Sequence, residues 1–106
     1  MPNVATSRTF TTTKDPLTGS APTAASVGIT SAQALAANAD RAGLVLVNTS
    51  DNTISIAFGA NAAVLNSGIT LLAGASWAMN EYQFSTAAVN AIASAVTSNL
   101  AIQEFT

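Results

Sequence analysis

The chain has 106 residues, with three basic and five acidic side chains, no histidine and no cysteine, for a formal charge of −2. This excludes disulfides, thiol and iron–sulfur chemistry and histidine-based catalysis. Charged residues make up 8% of the chain, against about 25% in an ordinary soluble domain, so neutral small residues must form the surface.

Alanine, threonine, serine and asparagine fill more than half of all positions, while leucine, isoleucine, valine and phenylalanine fill about a quarter. That apolar share suffices for a core in one small domain. Phosphate binding needs several cations on one face, and Arg8, Lys14 and Arg41 are scattered, so no nucleic-acid partner is expected. Met1-Pro2-Asn3 leads into polar sequence without the basic and apolar blocks of a signal peptide. The longest apolar run, residues 42–47, is far short of the roughly 20 residues that span a bilayer, so no membrane partner is expected either.

Residues 1–25 hold seven threonines, all three prolines and only Val4, Phe10 and Leu17 as large apolar groups. Such sequence favours extended backbone and cannot build a core alone. An extended N-terminal arm is expected over residues 1–25, ordered by contacts beyond its own domain, with Val4, Phe10 and Leu17 as candidate assembly contacts. The domain proper is expected over residues 26–106.

Residues 27–31 open the expected sheet, and the alanine-rich stretch that follows fits helix or strand. Leu44-Val45-Leu46-Val47 is a continuous apolar run ending at Asn48, the pattern of a strand covered on both faces. Thr49-Ser50-Asp51-Asn52 is a turn cluster. Ile54, Ile56 and Phe58 then alternate with Ser55 and Ala57, which predicts a hairpin between these two runs. Residues 61–68 read as a loop with Val64 and Leu65 tucked beneath it. Ile69 to Leu72 and Trp77 to Asn80 read as short strands around a turn at Ala73-Gly74-Ala75-Ser76. Val89, Ile92, Ala93 and Val96 fit helical spacing, but the neighbouring turn signals favour a strand over residues 89–95. Residues 99–105 alternate, with Leu100, Ile102 and Glu104 on one face and Ala101, Gln103 and Phe105 on the other. If the first face is inward, Glu104 needs a partner, and Arg41 is the obvious donor. The expected core comprises Leu44, Leu46, Ile54, Ile56, Phe58, Leu71, Ile92 and Ile102, with Val45 and Val47 also covered.

Reaction chemistry finds no footing in these residues. General acid–base catalysis needs a tuned titratable group beside a substrate, and Asp40, Asp51, Glu81 and Glu104 are separated by strands and turns. Serine is abundant, but a nucleophilic serine needs a base within reach; no histidine exists, and Lys14 lies in the arm. Zinc favours cysteine and histidine, and no acidic cluster resembles a calcium loop. No catalytic residue, metal site or cofactor is expected. Trp77, Tyr82 and Phe84 could offer an aromatic platform to a sugar, although such rings more often anchor a core.

One run of elements is familiar. It joins Arg41, Leu44, Val45, Val47-Asn48-Thr49-Ser50 and Ile54-Ser55-Ile56-Ala57-Phe58-Gly59 to Gly68-Ile69-Thr70-Leu71 and Ala73-Gly74-Ala75-Ser76. Phe84, Val89-Asn90-Ala91-Ile92-Ala93 and Leu100-Ala101-Ile102-Gln103-Glu104 complete it. Over residues 41–105 this resembles small structural proteins of tailed bacteriophages, such as capsid decoration (cement) proteins, head fibres and tail modules. The resemblance implies a β-sandwich or jelly-roll fold, often trimeric, without a cofactor.

The expectation is therefore an all-β protein: a small, jelly-roll-like β-sandwich preceded by an extended arm. Its expected role is capsid decoration of a bacteriophage head, on the capsid surface of the virion, after synthesis in the host cytoplasm. The partners would be the major capsid protein or another virion protein, and further copies of itself in a homotrimer. The alternative is a tail or fibre module that binds a receptor or glycan through Trp77 and Tyr82.

Overall fold

A computed structural model describes residues 16–106 of the chain. Val4 and Phe10 lie outside the described residues. Among the described residues there are eight strands: β1 Thr23–Val27, β2 Ala32–Leu35, β3 Gly43–Asn48, β4 Ile54–Phe58, β5 Ile69–Leu71, β6 Ser76–Ala78, β7 Val89–Ala93 and β8 Ser98–Phe105. They make two four-stranded sheets, in the orders β1-β8-β3-β6 and β2-β7-β4-β5. Among the described residues no helix is long and apolar enough to cross a membrane.

The strand order has a simple origin. β1 pairs with β8, β2 with β7, β3 with β6 and β4 with β5, all antiparallel. The chain is thus one long hairpin with its tip between β4 and β5, rolled so that successive rungs fall in opposite sheets. Pairing of β3 with β8 and of β4 with β7 closes the roll. This is the eight-stranded jelly roll, and the all-β sandwich read from the sequence is the observed fold.

Period-2 alternation builds the core between the sheets. Leu44 and Leu46 of β3 and Leu100 and Ile102 of β8 meet Ile54 and Ile56 of β4, Leu71 of β5 and Val89 of β7, all buried. Phe58 is only partly buried; its ring packs against Trp77 with centroids 5.7 Å apart.

Four expectations need correction. The predicted hairpin between the runs at 44–47 and 54–58 does not form, because β3 and β4 lie in different sheets. Their leucines and isoleucines instead face each other across the core of the sandwich. The corner between them is held by Asn48, fully buried, which donates to the carbonyls of Asn52 (2.6 Å) and Leu71 (2.9 Å) and accepts from Ser50 N and Oγ. Second, β3 is not covered on both faces: Val45 and Val47 point outward and are half-buried. Third, Ile92 also points away from the core, opposite Ser55 in the register, and is half-buried. Fourth, the residue buried beneath the 61–68 loop is Ala63, whereas Val64 is exposed.

The domain boundary expected at residue 25 falls inside β1, which pairs from Thr23 with Ile102 to Val27 with Ser98. Pairing continues upstream. Thr18 and Thr106 exchange two backbone hydrogen bonds of 2.9 Å each, and Ser20 N donates to Glu104 O at 2.8 Å. Extended, threonine-rich backbone finds its partner here in the free side of β8.

Candidate assembly surface

The two outer faces of the sandwich differ. Over the β2-β7-β4-β5 sheet, the segment after β4 folds back and covers part of the surface. Asn90 Nδ2 donates to the carbonyls of Gly59 (3.1 Å) and Asn61 (2.7 Å), Ala63 N donates to Ser31 Oγ (2.8 Å), and Asn66 N donates to Ser55 Oγ (2.8 Å). Ser55 is fully buried as a result, although it points away from the core.

Among the described residues, no segment folds over the other outer face in this way. The register puts Ala24 and Ser26 of β1, Asn99, Ala101 and Gln103 of β8, Val45 and Val47 of β3, and Ser76 and Ala78 of β6 on one surface. None of these residues is charged. Pro22 and Thr23 border a shallow depression of about 160 Å³ against Val45, Val47 and Ala101. Small side chains and two outward valines make this face flat, neutral and partly apolar.

At one end of the sandwich Arg41 meets Glu104. Arg41 precedes β3 and its side chain is completely buried. Nε lies 2.7 Å from Glu104 Oε2, Nη1 donates to the carbonyls of Ser85 (3.0 Å) and Ala87 (2.8 Å), and Nη2 donates to that of Ala36 (2.9 Å). The guanidinium therefore ties β8 to the segments before β3 and before β7. The partner inferred from alternation in the last strand is the one observed. A buried arginine is costly without such satisfaction, and among the described residues no buried side-chain nitrogen or oxygen lacks a partner.

Next to this cluster an open groove of about 680 Å³ runs between Leu17, Ala42, Met79, Asn80, Glu81 and Phe84. Leu17 and Phe84 are 53% and 49% exposed, so the groove presents bare apolar surface. Of the three expected assembly contacts, Leu17 is thus placed on the groove wall of its own body, while Val4 and Phe10 lie outside the described residues. Trp77 is turned into the core against Phe58, and Tyr82 and Phe84 are exposed in the segment that follows β6. Among the described residues no group of three or more carboxylates could hold a metal ion.

Sequence reading missed the uncharged outer face and the groove. A signal for the first was present: two valines alternating with two leucines are apolar on both sides, and only one side can face the core. The groove joins residues from three distant segments, which no local pattern announces. Compared with protein-family models, curated proteins and solved structures, the chain matches none.

Proposed function

We propose that the chain is a structural component of a virion, most simply a decoration protein of a bacteriophage head. The observation that carries this reading is the pairing of a jelly roll with one uncharged sheet face over which no described segment folds, the opposite face being partly covered by its own loop. Jelly rolls recur in viral capsids, in lectins and in cupins; fold alone does not choose among them, and the surface is what favours assembly. A neutral face of alanine, serine and valine has little charge to desolvate and can lie flush against a shell subunit or another copy. In this reading the outer face of the β1-β8-β3-β6 sheet meets the major capsid protein, residues 1–15 reach a neighbour, and a trimer clusters the faces. Many weak contacts acting together then supply avidity.

The test is to add the purified chain to phage heads that lack it and count bound copies by quantitative mass spectrometry and particle imaging. Saturation at hundreds of copies on the shell is the expected result. Binding of a dozen copies or fewer at the tail, or none, rejects decoration. Light scattering of the free chain tests the trimer, and a monomer at high concentration rejects that part.

A further inference from the structure

The groove beside Arg41 is open and partly apolar, and its walls are set by residues from three separate segments. Leu17 comes from the N-terminal approach to β1, Ala42 from the residue just before β3, and Met79 and Phe84 from the segment after β6. Its rim carries the carboxylate of Glu81. An occupant suited to this site is an extended segment with an aromatic or aliphatic anchor and positive charge.

Residues 1–15 have that chemistry. They hold Arg8, Lys14 and Asp15, a net charge of +1, whereas residues 16–106 hold four carboxylates and the single base Arg41, a net charge of −3. Were the segment to dock in extended form, alternate residues would share a face, which would put Val4, Arg8, Phe10 and Lys14 on one side: two apolar anchors interleaved with both cations. The segment also begins at the groove. Leu17 is already one wall, and Thr18 is fixed against Thr106. Asp15-Pro16, directly before it, is a pair that favours turn initiation. Fifteen residues reach at most about 50 Å, several times the width of such a groove. A tether this short raises the local concentration of the segment to the order of millimolar, ahead of a second copy at ordinary concentrations.

We propose that in the unassembled protein residues 4–14 seat in the groove of their own chain, Phe10 against Met79 and Phe84 and Lys14 toward Glu81. Anything else that binds this segment then competes with the groove. The proposal concerns the isolated chain and stands or falls apart from the virion reading.

The test uses the full chain with Phe10 replaced by the photo-reactive p-benzoylphenylalanine, which keeps an aromatic ring and inserts readily into methionine C–H bonds. Equal amounts of ¹⁵N-labelled and unlabelled chain are mixed, irradiated and mapped by peptide mass spectrometry. The expected product is a crosslink within one chain to residues 79–84, with a yield constant over a hundredfold dilution. Phe84→Ser, at a half-exposed position, is expected to lower that yield at least fivefold while leaving the circular dichroism unchanged. Crosslinks that join labelled to unlabelled chains and fade on dilution would assign the groove to a second copy and overturn the proposal. Crosslinks elsewhere on the body, or none, overturn it as well, as does a yield unaffected by Phe84→Ser.

Discussion

Arg41 and Glu104 are 63 positions apart in the chain, and their side chains meet at 2.7 Å with the arginine fully buried. Glu104 sits in the last strand on the inward face, and Arg41 closes the end of the sandwich above it. Removing one partner strands the other's charge, which typically costs about 3–5 kcal/mol at buried sites. Glu104→Ala is therefore expected to lower the stability of the domain by about that amount. Arg41→Lys is expected to be nearly as damaging, because an ammonium cannot reproduce the planar fork that serves Glu104 and three carbonyls at once. Equilibrium urea unfolding of the two variants checks both. Losses below about 1 kcal/mol would mean that the pair is relaxed by solvent.

Burial separates two isoleucines that look alike in the sequence. Ile54 is completely buried between the sheets, while Ile92 is half-buried on the outer side of β7. Ile54→Ala is expected to cost about 2–5 kcal/mol through lost burial and the cavity left behind. Ile92→Ala is expected to cost less than half as much in the same experiment. Equal losses would show that the loop over the outer face packs as tightly as the core.

The position at which the folded body begins can be tested by deletion. Removing residues 1–15 leaves the pairing of Thr18 and Ser20 with β8 intact, and the melting temperature is expected to stay within a few degrees. Removing residues 1–27 strips β1, uncovers β8 along five paired positions and loses buried Val27. A domain of this size shifts by about 4–8 °C per kcal/mol, so a fall of more than about 10 °C is expected from calorimetry. An unchanged melting temperature would make β1 dispensable.

A lysine on the neutral face probes the assembly reading directly. Ala101→Lys places a charge at the centre of the β1-β8-β3-β6 sheet, where the flexible side chain reaches solvent in the free protein. The melting temperature is expected to change by less than about 5 °C, while binding to decoration-free heads falls at least tenfold. Gln33→Lys, exposed on β2 of the other sheet, is the control and is expected to bind normally. If Ala101→Lys binds fully, another surface makes the contact.

Much of the fold was legible because alternation is a strong local signal. Residues 54–58 and 99–105 fixed both strand type and face, and through Glu104 they also named the ion pair. What alternation does not encode is which sheet a strand joins. Thr49-Ser50-Asp51-Asn52 reads equally well as a hairpin turn or as a corner between sheets; buried Asn48, bridging the carbonyls of Asn52 and Leu71, makes it a corner. Val45 and Val47 were read as covered because a valine facing a neutral outer surface looks like a valine facing a core. The candidate assembly surface stayed hidden for the same reason.

The two-way bond between Thr18 and Thr106 also sets a path for tension. If residues 1–15 are held by another body, a pull enters at Leu17 and passes at once into the backbone bonds that join residues 18–20 and β1 to β8. Directed along the strand, it loads those bonds side by side, so none can part before its neighbours share the strain. β8 lies between β1 and β3 and hands the load to the middle of its sheet. Far from a loose thread, the tether is spliced into the closing strand of the domain.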